Sequence, residues 1–176
     1  MNEVPAGLHE LRKTRVSKFN WMSIVGIPLA AILFQVVVSR FVRYLSYLEL
    51  PLLVTVYFSL ARRSPVTGVL FGMGIGLAQD SLSPQHPLGM FGIAKTLVGY
   101  FAGMISQRFE VESSGVRLVL ALFFFLFHQF FYWFLRRALL GEQVGFELLQ
   151  TLVLAAMNAI VAVPLFHVLD KLKVTE

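Results

Sequence analysis

The sequence predicts an all-α integral membrane protein with about six transmembrane helices. Of its 176 residues, 57% are hydrophobic and only 14% are charged, and the mean hydropathy is +0.72. A soluble domain of this length could not bury so much apolar surface in one core. Six apolar blocks fill the chain after Asn20. They predict a basic cytoplasmic tail (1–20), a six-helix membrane domain (21–170) and a cytoplasmic C-terminal tail (171–176).

Each apolar block is assigned one span. The first is too long for a signal-peptide core and lacks a small-residue cleavage site. The second and third have about 16 residues and reach only about 24 Å, against a hydrocarbon core of about 30 Å. Ser64 can cap the third helix, and Pro65 suits its first position. The predicted spans are 21–41, 44–60, 65–80, 88–106, 116–135 and 146–169.

The positive charges favour six crossings with both termini in the cytoplasm. In that topology ten Lys and Arg residues flank the spans inside and four flank them outside. If the second block did not cross, six would lie inside and eight outside, against the positive-inside rule. The basic groups therefore indicate orientation, and we predict no nucleic-acid partner. The four outer residues are Arg40, Arg43, Arg136 and Arg137.

Small residues repeat every four positions in the third span, and a matching row follows in the fourth. Such residues share one helix face, and in lipid a small-xxx-small face allows close backbone approach. We expect these two spans to pack as a tight hairpin. Alternatively, part of the row faces a partner's transmembrane helix or lines a ligand cavity. The candidate helix-packing or partner-binding residues are Gly68, Gly72, Gly76, Gly92, Gly99 and Gly103.

Few polar side chains fall inside the predicted spans. Lys95 lies about two turns into the fourth span, and Asp80 is the nearest acid in the hairpin. We predict a structural ion pair or hydrogen-bonded network, with a proton- or substrate-coupling pair as the alternative. His128 and Gln129 predict an interhelical hydrogen bond rather than a metal or proton-relay site, because no acid or second His lies three or four residues away. Asn158 is another candidate polar contact.

The sequence contains no recognisable catalytic or cofactor motif. It has no cysteine, which excludes a disulfide, a thiolate zinc site and a cysteine nucleophile. Gly-x-Ser-x-Gly, His-Glu-x-x-His and the phosphate-binding Gly-x-x-x-x-Gly-Lys pattern are all missing. We therefore predict a protein that is not an enzyme and that needs no cofactor or metal.

Short motifs in a fixed order resemble those of one known family. They are Leu-Pro-Leu-Leu at 50–53, Ala-Arg-Arg-Ser-Pro at 61–65, Gly-Leu-Ala-Gln-Asp at 76–80, Pro-Leu-Gly at 87–89 and Val-Gly-Tyr at 98–100. Together with the basic tail and the span layout, they resemble the family of the bacterial rod shape-determining protein MreD. The specific part of the resemblance is residues 50–103, and the last two spans match in character.

The resemblance implies a non-enzymatic, multi-pass component of the bacterial cytoplasmic (inner) membrane that acts in lateral cell-wall elongation. It implies binding to the transmembrane segment of MreC, contact with membrane lipid, and an assembly with MreB, RodZ, RodA and a class B penicillin-binding protein. It also implies a fold similar to the substrate-binding subunits of energy-coupling-factor transporters. A small-molecule or lipid-binding transporter subunit is therefore the alternative. An intramembrane enzyme ranks third, because no nucleophile and base converge.

Overall fold

The computed structural model describes residues 19–41, 47–82 and 88–173, and within them every extended regular element is a helix. Residues 1–18 of the predicted basic tail and residues 174–176 lie outside this described part. One isolated antiparallel bridge joins Phe19 to Lys173. The helices are α1 (Trp21–Phe41), α2 (Leu50–Arg62), α3 (Pro65–Leu82), α4 (Met90–Arg108), α5 (Ser114–Leu140) and α6 (Leu148–Asp170).

Three helices, α1, α5 and α6, are long and apolar enough to cross a membrane. The first begins and ends where the sequence predicts. The fifth begins after its cap Ser113 and continues to Leu140 rather than residue 135, until Gly141 ends it with a φ of 66°. With 18 and 19 residues, α3 and α4 carry the glycine rows and several polar side chains. Crossing by all six helices stays a prediction.

The predicted start of the second helix is wrong. The sequence suggested a helix from residue 44. Residues 44–46 lie outside the described part of the chain, residues 47–49 are not in the helix, and α2 runs from Leu50 to Arg62 with 13 residues. Pro51 lies in its first turn, where a missing N–H needs no helical partner, and Glu49 precedes it in a non-helical conformation. Thirteen residues rise about 20 Å. Every residue from Pro51 to Leu60 is buried, so the other helices shelter this short one.

The short helix α2 forms the centre of the bundle. It contacts all five other helices, while α3 packs most extensively on α4 and α5 packs on α6. On the periphery, α1 leans against α2 and α3. Large apolar side chains fill the core between these helices, among them Leu52, Phe58, Phe124, Phe125 and Phe166. The polar residues described below are therefore held by a packed apolar frame.

A charged cluster lies at the end of the bundle where α6 ends. This end of the bundle is here named the Asp170 end. Asp170 accepts hydrogen bonds from Arg117 Nη1 at 2.5 Å and from the Tyr57 hydroxyl at 3.1 Å, and Lys173 Nζ lies 2.7 Å away. Arg117 also donates from Nε to the carbonyl of Val111 at 3.2 Å. These contacts join α2, α5 and α6. The opposite end, at which α2 begins, is named the Glu49 end.

Candidate functional site

The glycine rows of α3 and α4 face each other along their whole length. A Cβ atom on Gly68 would overlap the carbonyl of Gly99, and one on Gly72 would overlap the carbonyl of Lys95. At Gly76 it would lie 2.6 Å from the Cα of Gly92. No real Cβ tolerates such contacts with backbone. At these positions the two helices therefore touch through their backbones, and a side chain on any of these three glycines would not fit.

The fourth helix completes this contact nearer the Asp170 end. A Cβ on Gly103 would lie 2.6 Å from the carbonyl oxygen of Ser64, where α3 begins. Gly74 is the exception in α3, because a Cβ there would meet nothing within 4 Å. The face that contains Gly68, Gly72 and Gly76 is thus occupied inside the protein. Gly74 lies on an open side of α3 and is not part of this contact.

The carboxylate of Asp80 binds the first turn of α4. Its Oδ2 atom accepts hydrogen bonds from the N–H groups of Gly89 and Gly92, each at 3.0 Å, and its Oδ1 atom accepts one from Phe91 at 3.1 Å. The first N–H groups of a helix lack intrahelical acceptors, and the positive end of the helix dipole lies there. Asp80 is 3% exposed. It therefore serves as a cap contributed by another helix.

Replacing Asp80 with asparagine is expected to lower the free energy of unfolding by about 1–2 kcal/mol. The change removes the negative charge and turns an amide N–H₂ toward backbone donors. Chemical denaturation in detergent measures the effect. The matched control is Ser81→Ala at the exposed neighbouring position. Equal stability of the two variants would contradict the capping role.

The ammonium group of Lys95 is paired with Glu49, and this corrects the predicted Asp80 pairing. Its Nζ atom lies 3.6 Å from Glu49 Oε2, 3.4 Å from His128 Nε2 and 4.4 Å from the centre of the Phe91 ring. No ion pair of 4.0 Å or less joins Lys95 to Asp80, because both carboxylate oxygens of Asp80 accept hydrogen bonds from the start of α4. Glu49 was missed because the predicted second span ran through it. The sequence signal that could have identified Glu49 is an acidic residue directly before the Leu-Pro pair at which a helix begins.

The imidazole of His128 is buried against this cluster. An ammonium can only donate, so Nε2 of the ring accepts from Lys95 and the ring proton is assigned to Nδ1. Nδ1 is buried and has no hydrogen-bond partner in the described part of the chain. The ring stacks with Phe91 and Tyr132, at centroid distances of 6.1 and 6.3 Å. Its neighbour Gln129 is half-buried and stays outside the cluster.

Asn158 of α6 fixes the residues that precede α2. Its Oδ1 accepts from the N–H of Glu49 at 2.9 Å, and its Nδ2 donates to the carbonyls of Tyr47 and Leu154, each at 2.9 Å. The cluster at the Glu49 end therefore draws on three helices, α4, α5 and α6, and on residues 47–49. Within the described ranges, no group of three His, Asp or Glu residues could hold a metal ion.

Two apolar grooves open on the outer surface of the bundle. The larger, about 500 Å³, lies between α4 and α5 and is here named the α4–α5 groove. The smaller, about 240 Å³, lies between α1 and α3 and has Gly74 in its lining. Both are lined almost wholly by aliphatic and aromatic side chains. The larger one is lined by Ile105, Phe109, Glu110, Gly115, Val116, Val119, Leu120 and Phe123.

The chain matches the family model described as rod shape-determining protein MreD over residues 15–173. No curated protein and no solved structure matches the chain. The likeness to energy-coupling-factor subunits therefore stays a prediction. The matched region includes all six helices, the two glycine rows and the polar cluster. The chain thus belongs to the MreD family of rod shape-determining membrane proteins.

Proposed function

We propose that this protein is a non-enzymatic scaffold in the bacterial inner membrane that binds the transmembrane segment of MreC. Through MreC it would link the wall-synthesis enzymes RodA and a class B penicillin-binding protein, together with RodZ and MreB. Family membership supports the shape-determining role, and MreC is the partner that the sequence resemblance implies. The proposed topology has six crossings and both termini in the cytoplasm. Residues 21–170 form the membrane domain, with short tails at 1–20 and 171–176.

One observation carries the choice of surface. The glycine face is buried between α3 and α4, whereas α5 carries a stripe of exposed apolar side chains. Val119, Phe123, Phe130 and Phe134 are between 46% and 62% exposed and recur at helical spacing. The stripe is continuous with the α4–α5 groove through Val119 and Phe123. We therefore propose that the MreC helix binds there, through van der Waals packing.

The state of the buried polar residues also favours a scaffold over a transporter subunit. Lys95, His128 and Asn158 are fully or almost fully buried, and their polar contacts are with protein groups: Lys95 with His128 and Glu49, and Asn158 with the backbone of residues 47, 49 and 154. A small-molecule site needs a concave space with polar groups that converge on it. The α4–α5 groove has an almost wholly apolar lining and opens on the surface of the helix bundle. It suits a helix or an acyl chain.

Filling the α4–α5 groove is expected to weaken MreC binding. Val119→Trp puts an indole into the groove, and we expect recovery of MreC with the tagged chain to fall about tenfold, which corresponds to about 1.4 kcal/mol. Quantitative co-purification from native membranes in mild detergent measures this loss. Microscopy of cells that depend on the variant should show loss of rod shape.

The control is Val153→Trp on α6, because Val153 and Val119 have the same residue type and are both 62% exposed. We expect this control to keep normal MreC recovery and normal cell shape. If both variants recover MreC normally, the proposed surface is wrong. If both lose it equally, the effect comes from general disturbance by the indole.

A further inference from the structure

Residues 47–49 cover a set of buried polar side chains at the Glu49 end. Lys95 and Asn158 are 0% exposed and His128 is 1% exposed, so water does not reach them in this structure. The covering residues are not part of α2. Tyr47 is 44% exposed, and the Glu49 side chain is 15% exposed. Among the described residues, this short segment supplies the backbone groups that Asn158 binds and the carboxylate within 4.0 Å of Lys95.

Polar contacts hold this segment down. The Asn158 side chain forms hydrogen bonds with the backbone of the segment at Tyr47 and Glu49. The buried Lys95 ammonium attracts the Glu49 carboxylate. Partly buried contacts also come from the apolar side chain of Leu48. The segment therefore depends on Asn158 and Lys95, which belong to two different helices.

The contacts beneath the segment are incompletely satisfied. Glu49 Oε2 lies 3.6 Å from Lys95, beyond hydrogen-bond distance. Within residues 19–41, 47–82 and 88–173, neither this oxygen nor His128 Nδ1 has a hydrogen-bond partner. Buried polar atoms without partners cost free energy. The Asp170 end differs, because its charged groups meet at 2.5 and 2.7 Å. Polar pairing in the described part of the chain is therefore less complete at the Glu49 end, and local opening is favoured where such contacts are weak.

We propose that residues 47–49 form a strap that opens and closes over Lys95, His128 and Asn158. In the closed form Glu49 neutralises the ammonium. In the open form the Glu49 carboxylate is hydrated, and this hydration offsets part of the free energy lost when its contact with Lys95 breaks. Lys95 then becomes accessible to water at the Glu49 end. The contact between α3 and α4 and the charged cluster at the Asp170 end do not change. This device does not depend on MreC binding, so either proposal can fail alone.

Chemical modification of Lys95 tests the strap. Purified protein is treated with a water-soluble N-hydroxysuccinimide acetate, and modified lysines are quantified by peptide mass spectrometry. In the unaltered chain we expect Lys95 to react far more slowly than exposed Lys171. Asn158→Ala removes both backbone contacts of the strap, and we expect the reaction of Lys95 to accelerate about tenfold or more, because it follows the open population. Lys171 should be unchanged.

A second buried polar deletion provides the control. Thr55→Ala removes a hydroxyl that is 0% exposed and bonds only within α2, and Lys95 should stay protected in it. The proposal is overturned if Asn158→Ala leaves Lys95 as slow as in the unaltered chain. It is equally overturned if Thr55→Ala accelerates the reaction to the same extent, since the whole bundle would then be loosened.

Hydrogen exchange in the unaltered protein tests the strap without any variant, in case Asn158→Ala fails to fold. We expect the amide of Glu49, in the strap, to exchange at least about tenfold faster than the amide of Tyr57, in the buried part of α2. Equal protection of the two amides would show that the segment does not open by itself and would overturn the proposal.

Discussion

Gly72→Leu is expected to prevent stable folding of the membrane domain. A Cβ at this position would overlap the carbonyl of Lys95, and the remaining leucine atoms would need still more space. Overpacking by a few methylenes costs about 1–3 kcal/mol even where side chains can move. Here the obstacle is backbone, which cannot move aside without separating α3 from α4. Gly76→Leu should have the same effect for the same reason.

The matched control is Gly74→Leu, in the same helix and only two residues away. A Cβ on Gly74 meets nothing within 4 Å, so we expect near-normal stability. The yield of monodisperse protein in detergent and its thermal unfolding measure both variants. If Gly72→Leu unfolds at the same temperature as Gly74→Leu, the close α3–α4 packing is not a requirement of the fold.

Glu49→Gln is expected to be the most destabilising change in the polar cluster. It keeps the shape of the side chain but leaves the Lys95 ammonium buried without a counter-charge. Removing one partner of a buried ion pair costs about 3–5 kcal/mol. Lys95→Met should cost less, because Glu49 is 15% exposed and its carboxylate can turn toward water.

Combining Glu49→Gln with Lys95→Met should recover part of the loss, because the double variant contains no uncompensated charge. A double-mutant cycle on unfolding free energies in detergent measures this coupling. We expect the double variant to be more stable than the sum of the two single effects predicts. Strict additivity would mean that the two groups do not interact across their 3.6 Å separation.

The close packing of α3 on α4 follows from local sequence. The helical period and the four-residue spacing place Gly68, Gly72 and Gly76 on one face. In lipid, a face without side chains favours close packing of one helix backbone against another. The start of α2 illustrates the opposite case. Apolar character continues upstream of Leu50, but Pro51 and the contacts of Asn158 decide where the helix begins, and the second of these is a tertiary effect.

The partner of Lys95 illustrates a second limit. Within the hairpin, Asp80 is the nearest acid along the chain, yet the free N–H groups of α4 take up both its oxygens. Glu49, the acid that pairs with Lys95, lies 46 positions upstream of it in the sequence. Such a contact depends on the way α2 packs on α4. Spacing along one helix or one hairpin carries no information about it.

The α4–α5 groove could not be predicted from the pattern of the fifth helix. Its aromatic residues surround the helix, so the sequence alone does not distinguish lipid-facing from packed positions. Packing against α4 and α6 buries Phe124 and Phe125 and leaves Phe123 and Phe130 outside. The docking proposal depends on this division, which only the assembled bundle supplies.

Affinity purification of the tagged chain from its native membranes, with every co-purifying protein identified by mass spectrometry, tests the scaffold account most directly. The account predicts stoichiometric recovery of the single-span protein MreC together with wall-synthesis enzymes. Recovery of ATP-binding cassette subunits instead, or of a tightly bound small molecule without MreC, would contradict it and would favour a transporter subunit.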